Sequence, residues 1–257
     1  MKPDLSEITF VIPFYLDSKE RDENLSCIVN FLQKNFSTNV LLVESLNKPK
    51  TEAPEILKNL LGNIEYEPHE PIYSSPEIFY RTETINFGIK KCKTPYACIY
   101  DTDVIFEPAN FVRSLELLKQ GNTLVYPYGG KFVDIERSYL TDGIIKERES
   151  YVTESFGGAV FVNIEKYKQC GLENQNIIGW GFEDFERIDR IKILGHTWAR
   201  VPGTCWHIEH PRGINSSTQN PHWANNEKEL YKVRAMHKEE LTNYINQWQW
   251  TQKNLKD

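Results

Sequence analysis

Short apolar runs alternating with helical patterns constrain this chain more than any other feature. Runs at Ile8–Pro13 (ITFVIP), Asn39–Glu44 (NVLLVE), Ala97–Asp101 (ACIYD), Thr123–Tyr126 (TLVY), Gly158–Val162 (GAVFV) and Thr197–Val201 (TWARV) read as strands. The Val, Ile and Leu content of several suits a strand covered on both faces. Between them lie helical stripes. Glu77–Lys93 carries apolar residues at 78, 85, 89 and 92, Phe111–Gln120 stops at Gly121, and Glu183–Leu194 stops at Gly195. Glycine just past the last periodic residue is a helix stop. This alternation predicts an α/β fold with a mostly parallel sheet flanked by helices. The polar stretch Asn225–Lys256, with Trp248 and Trp250, reads as a helix packed along the outside.

Size and charge then remove whole classes. A chain of 257 residues buries a substantial core without staples. Its net charge of -6 argues against a nucleic-acid binder, which wants a basic face. The cysteines, Cys27, Cys92, Cys98, Cys170 and Cys205, are odd in number and form no CxxC, so free thiols in a reducing compartment are expected. No apolar run approaches the ~18 residues of a membrane span. The start, MKPDLSEITFVIPFY, lacks a cleavage-type ending. The expectation is a cytoplasmic protein, with peripheral contact to the inner face of a membrane through Trp248 and Trp250 set against ordinary packing of that pair.

The chemistry concentrates in a few stretches. Asp101-Thr102-Asp103 follows a buried strand, and ligands of open α/β sheets bind outside the carboxyl ends of strands. Strand alternation puts both aspartates on one side, where hard oxygens suit a divalent ion bridging phosphates. The plainer reading is an Asp-rich turn. His207 and His210, in CWHIEH directly after the last candidate strand, reach one point if the segment turns. Imidazole with carboxylate suits Mn²⁺, Zn²⁺ or Fe²⁺ better than Mg²⁺; taken alone, His207 reads as a packed or surface histidine. In Gly179-Trp180-Gly181-Phe182-Glu183-Asp184-Phe185-Glu186, glycines flank an exposed aromatic and acids open a helix. Helix-dipole preference accounts for one or two of the acids. It does not account for Trp180, whose flat face beside carboxylates suits a sugar. A carboxylate there is placed to accept a proton from a hydroxyl. Two segments resist assignment, Tyr128–Glu154 and Pro211–Asn226; the second, dense in Gly, Pro, Ser and Asn, reads as a lid over a site.

Taken in order, the IPF strand, the helix FYRTETINFG, DxD, FGG, GWGFED and a following histidine resemble the β-1,4-galactosyltransferase type of GT-A glycosyltransferase and bacterial relatives in capsule and chondroitin-type polysaccharide synthesis. The resemblance covers roughly residues 8–226. It implies a GT-A domain over 1–226, with a nucleotide-binding half about 1–105 and an acceptor and metal half about 106–226, and a helical extension over 227–257. It implies Mn²⁺ or another divalent cation on Asp103, His210 and His207. A UDP-sugar would lie against Pro13, Phe14, Phe79, Arg81, Asp101, Thr102, Gly158 and Trp180, with Phe156 and Gly157 beside the sugar. A glycan or lipid-linked glycan acceptor would lie against Trp180, Glu183 and Asp184, with Asp184 as base. Asn86 and Gly88 match the family's Asn-x-Gly.

The chain also departs from the family. Tyr15 and Asp17 stand where animal enzymes carry arginines, with Lys19 or Arg21 as substitutes; Ser155 replaces a large tyrosine, leaving room for an N-acetyl group at C2. The implied activity is metal-dependent, inverting transfer of a hexose or N-acetylhexosamine from a UDP-sugar to a glycan hydroxyl in surface-polysaccharide synthesis. Its rivals are a sugar-phosphate nucleotidyltransferase, whose Gly-rich basic loop is missing after the first strand, and a non-catalytic glycan-binding relative.

Overall fold

The computed structural model describes residues 1–16, 18–46, 64–72, 75 and 77–252. Asp17 and Lys253–Lys256 therefore lie outside the described residues. Strand β1 (Asp4–Phe14) runs through the middle of the molecule, with Ile8, Phe10, Val11 and Ile12 fully buried. Helix α1 (Lys19–Asn35) follows and is capped by Ser18, whose Oγ accepts from the Arg21 N–H. The sequence shows no helical stripe at the start of this segment because its first turns, KERDEN, are all polar. Its apolar stripe, Leu25, Ile28, Val29 and Leu32, begins late.

A seven-stranded sheet is ordered β10-β6-β9-β4-β1-β2-β3. Its members are β2 (Ser37–Ser45), β3 (Ile64–His69), β4 (Tyr96–Tyr100), β6 (Leu124–Tyr126), β9 (Ala159–Asn163) and β10 (Trp198–Arg200), with β1. All neighbours are parallel except β9, which runs antiparallel between β4 and β6. A smaller sheet, β5 (Val104–Ile105), β11 (Thr204–Ile208), β7 (Lys131–Ile135) and β8 (Glu147–Val152), closes over the carboxyl end of β4. Much of Tyr128–Glu154 is thus the β7–β8 hairpin, with α4 (Tyr139–Asp142) at its bend. His207 lies inside β11 rather than after the last strand, and β11 was hidden by its mixed CWHI pattern.

Helix α2 (Arg81–Lys91) packs so closely on β1 and β2 that a Cβ on Gly88 would come 2.6 Å from Val11 and 2.9 Å from Val43. Asn86 is fully buried, with its side chain bonded to both the N–H and the carbonyl of Glu173. The Asn-x-Gly pair is therefore what seats α2 against the sheet and ties it to the 172–177 turn. Helices α3 (Pro108–Lys119) and α5 (Ile164–Gln169) flank the sheet. Helix α6 (Glu183–Leu194) ends at left-handed Gly195, as the sequence predicts.

The C-terminal stretch is not one helix. It forms α7 (Trp223–Arg234), α8 (Lys238–Ile245) and α9 (Gln249–Gln252). The break at His237 is made by a capping box in which Glu240 takes the His237 N–H. Trp248 is 3% exposed and stacks on Trp250, so this tryptophan is packed into the fold and does not face a membrane. No helix among the described residues is long and apolar enough to cross a membrane. All five cysteines are free.

Candidate active site

Where β1 and β4 end, the chain opens a cavity of about 440 Å³. The residues that the resemblance assigns to donor, acceptor and metal line it: Pro13 and Phe14 from the end of β1, Phe79 and Arg81 from the start of α2, Asp101, Thr102 and Asp103 after β4, Gly158 before β9, Trp180, Glu183 and Asp184 at the start of α6, and His207 and His210 from β11 and beyond. Of the two basic substitutes offered after β1, Arg21 lines the cavity, whereas Lys19 is exposed and pairs with Glu23. Thr102 shares the cavity with the two aspartates because the strand stops at Tyr100 and alternation stops with it.

At one corner, His210 Nε2 lies 3.2 Å and His207 Nε2 3.7 Å from Asp103 Oδ2. One ligand atom from each of the three lies within 4.8 Å of the others. The far ring nitrogens are already engaged, His207 Nδ1 with Asp134 Oδ1 at 2.7 Å and His210 Nδ1 with the Pro211 carbonyl at 2.8 Å. A carbonyl only accepts, so His210 Nδ1 carries a proton and Nε2 is the ring nitrogen that faces Asp103. That outer partner on each ring is what metal-ligating histidines have. Mixed imidazole and carboxylate donors fit Mn²⁺, and this corner fits the ion the sequence implies. Burial alone would raise Asp103, but the two imidazoles hold it well below the usual carboxylate range. Burial works the other way on His207, yet Asp103 and Asp134 raise it to about 9.

The opposite chemistry holds at the α6 turn. Arg187, 1% exposed, forks onto both oxygens of Glu173 (2.8 and 3.1 Å) and reaches Asp184 Oδ1 at 2.8 Å. Glu183 accepts from the Gly181 N–H at 2.9 Å, with Arg81 at 3.7 Å. Burial, then the neighbouring Asp184, raise Glu183 to about 7 against the pull of Arg81. Arg81 also donates to Asp101 at 2.6 Å; burial nonetheless leaves Asp101 raised. Gly157 sits against Asp184, where a Cβ would fall 3.0 Å from Oδ2. Phe182, just before α6, holds φ +75, a strained backbone for a bulky residue and one that recurs at ligand-binding turns.

Trp180 is not the exposed platform expected. It is half-buried and stacks on Trp223 with centroids 5.3 Å apart. The Pro211–Asn226 segment holds it there. Asn220 donates to the carbonyls of Ile178 and Trp180 (2.9 and 2.7 Å), Asn226 bonds the Ile178 N–H and carbonyl, and Asn215 accepts from the Phe79 N–H. A Cβ on Gly179 would come 2.8 Å from Asn220, and one on Gly181 2.6 Å from Trp223. Both glycines therefore serve close packing of this segment, which is a pinned strap in this structure. Sequence reasoning missed Trp223, Asp134 and Tyr15 as cavity residues. Tyr15 faces Phe79 with rings 17° from parallel and 6.2 Å apart. Only Asp134 left no signal at all, lying in an unassigned segment.

A family model described as the N-terminal domain of galactosyltransferase (Glyco_transf_7C) matches residues 146–212. No curated protein matches the chain by sequence. A crystal structure of GalNAc-T7 with UDP, GalNAc and Mn²⁺ shares the fold at TM-score 0.60 and 16% identity, over 93% of this chain and 50% of that one. The chain thus spans half the length of that relative. The catalytic domain of Drosophila β1,4-galactosyltransferase 7, solved with xylobiose, aligns over 91% of this chain and 82% of its own at TM-score 0.49 and 17% identity. The chain is similar to these glycosyltransferases, and it shares its α/β fold with GalNAc-T7.

Proposed function

We propose that this protein is a metal-dependent glycosyltransferase that moves a hexose or N-acetylhexosamine from a UDP-sugar to a glycan hydroxyl, with inversion. The observation that carries this reading is the convergence of Asp103, His207 and His210 on a cavity that also holds the Trp180–Asp184 turn. The galactosyltransferase match spans β8 to just past His210 and so includes that turn and both histidines. Bound at Asp103, His207 and His210, Mn²⁺ or another divalent cation would supply Lewis-acid neutralisation of the charge developing on departing UDP.

The chain's own residues do the rest. Tyr15 and Phe79 offer near-parallel aromatic faces on which the uracil stacks. Pro13 and Phe14 shape the same wall. Arg81, held by Asp101, brings positive charge toward the phosphates. Thr102 and Gly158 line the donor wall, and Ser155, small and bonded to Tyr128, leaves room beside it for a substituent at C2. Trp180 backs the acceptor sugar. Asp184 keeps one oxygen on Arg187 and takes the acceptor hydroxyl proton with the other, while Glu183 fixes the turn through the Gly181 N–H. We take 1–226 as the transferase body and the C-terminal helices as its brace. A lipid-linked glycan of surface-polysaccharide assembly, met on the cytoplasmic side, is the acceptor class we propose.

A UDP-sugar panel with glycan acceptors, scored for UDP release with Mn²⁺ and with EDTA, tests the reading. Release that needs both acceptor and Mn²⁺ is expected. Pyrophosphate release instead would make the protein a nucleotidyltransferase. Glycan binding with no release from any donor would make it a binding relative.

A further inference from the structure

A second cavity of about 540 Å³ shares no lining residue with the first. The two are joined through the backbone. Segment 175–183 gives Gln175–Ile178 to the second cavity and Trp180–Glu183 to the first, and the start of α2 gives Tyr80, Thr82 and Glu83 to one, Phe79 and Arg81 to the other.

The walls of this second cavity have a distinct chemistry. One side is aromatic: Trp248 and Trp250, stacked at 4.8 Å, with His69 stacked on Phe87 at 4.5 Å. Around it stand the carboxamides of Gln175, Gln247 and Gln249, none of which makes a side-chain hydrogen bond among the described residues. His69 Nε2 is buried with no hydrogen-bond partner, its nearest acid being Glu83 Oε1 at 3.3 Å. That oxygen already takes the Ile72 N–H. Among the described residues no arginine lines this cavity and Lys90 is its one lysine, beside Glu70 and Glu83, a balance that does not favour a phosphate or a nucleotide.

Uncharged donors and acceptors around an indole match a pyranose. Its C–H face lies on the ring and its hydroxyls exchange hydrogen bonds with carboxamides. The volume falls in the range of small-ligand pockets. We propose that this cavity binds a neutral stretch of the glycan, remote from the sugar that receives the transferred unit. The inference rests on the transferase reading for the identity of that glycan. It turns a part of the chain outside the reaction centre into a holder for the polymer.

The test titrates the full chain with chitotetraose, lacto-N-tetraose and cellotetraose, followed by saturation-transfer NMR and tryptophan fluorescence, beside a UDP–Mn²⁺ titration. The variants are the double Gln175→Ala/Gln247→Ala, Trp250→Ala, and Trp180→Ala in the first cavity. At least one tetrasaccharide is expected to bind. Its Kd should rise about tenfold in the carboxamide double variant and in Trp250→Ala, since each loses contacts of roughly 1–1.5 kcal/mol, with UDP–Mn²⁺ affinity unchanged. Trp180→Ala should retain that binding. Trp250 also donates to the Gly171 carbonyl, so the carboxamide variant decides if Trp250→Ala melts early. Binding unaffected by the carboxamide change, binding abolished only by Trp180→Ala, or no binding by any tetrasaccharide overturns the proposal. Failure of UDP–Mn²⁺ to bind the unmodified chain would instead strike the transferase reading and leave the saccharide result to stand by itself.

Discussion

Two groups of acids line one cavity and are held in opposite ways. At the α6 turn the protein supplies its own counter-charges. Arg187 bridges Glu173 and Asp184, Arg190 pairs with Glu186, and Arg81 lies beside Glu183. At the other corner Asp103 faces only imidazoles whose outer nitrogens are already engaged. The first arrangement fixes shape, because buried arginines lock the turn that carries Trp180 and Asp184. The second is built to exchange its charge, because a divalent cation would displace the proton that now holds His207 toward Asp103. A metal ion would take the place of an exchangeable proton at this corner, whereas the buried arginines of the acceptor side are fixed and keep that side rigid.

Breaking the metal corner has the largest expected effect. Asp103→Asn removes the only anionic member of the trio, and Mn²⁺-dependent UDP release should fall by about 10⁴-fold, the several kcal/mol that metal charge stabilisation supplies. EDTA should do the same to the unmodified protein. Activity that survives both would make Asp103 and the histidines structural. Next comes Asp184→Asn, which keeps the Arg187 contact through the amide oxygen but cannot take a proton. Turnover should drop by about 10²–10⁴-fold with UDP–Mn²⁺ affinity retained. Near-normal turnover would move the base elsewhere on the turn, Glu183 being nearest.

The arginine side breaks as stability rather than chemistry. Arg187→Met leaves Glu173 buried with only the Tyr167 hydroxyl. Removing one partner of a buried pair costs about 3–5 kcal/mol, so urea unfolding should register a loss of that order. A loss below about 1 kcal/mol would show that the network is not what holds the turn.

Glu183 tests the same side by pH. Its folded pKa of about 7 stands above the ordinary 4.5. Between those values the folded state holds more proton than the unfolded chain, so this group's contribution to stability falls as pH rises from 4.5 through 7. Glu183→Gln removes that slope. Relative to wild type it should gain stability at pH 8, by no more than about 3 kcal/mol, and nothing at pH 4.5. Thermal melts at both pH values read the difference; parallel curves would mean that Glu183 is ionised throughout.

What the sequence disclosed divides along similar lines. Strands β1, β2, β4, β6 and β9 were legible because they carry buried apolar runs, while β10 is only half-buried and showed itself by its place after the Gly195 helix stop. The second sheet was not, since β7, β8 and β11 mix charge with apolar residues and are stabilised by pairing to one another. Site residues were legible where chemistry demands a residue type at short spacing, as in Asp101–Asp103 and His207–His210. Arg187 and Glu173 escaped notice, because no local pattern tells a buried ion pair from two surface charges. Trp223 and Asn220 escaped because the strap packs on Gly179 and Gly181 across some 40 residues of sequence.

The smallest expected effect sharpens the contrast between a buried and an exposed arginine. Arg148 donates from Nη2 to both oxygens of Glu209 at 2.8 and 2.9 Å, an exposed counterpart of the Arg187–Glu173 pair with side chains 47% and 40% exposed. Water screens the pair and both side chains give up rotamer freedom to form it, so Arg148→Ala should cost less than about 1 kcal/mol, and less still in high salt. Glu209 is also the neighbour of His210, so the variant asks whether the metal corner depends on a surface tether. The geometry says that it does not: His210 is held by the Pro211 carbonyl and faces Asp103, and neither contact passes through Arg148. Unchanged Mn²⁺-dependent activity with a slightly lowered urea midpoint is expected. A tenfold loss of activity would mean that the corner borrows its order from the surface, and that the two sides of the cavity are less different than their burial suggests.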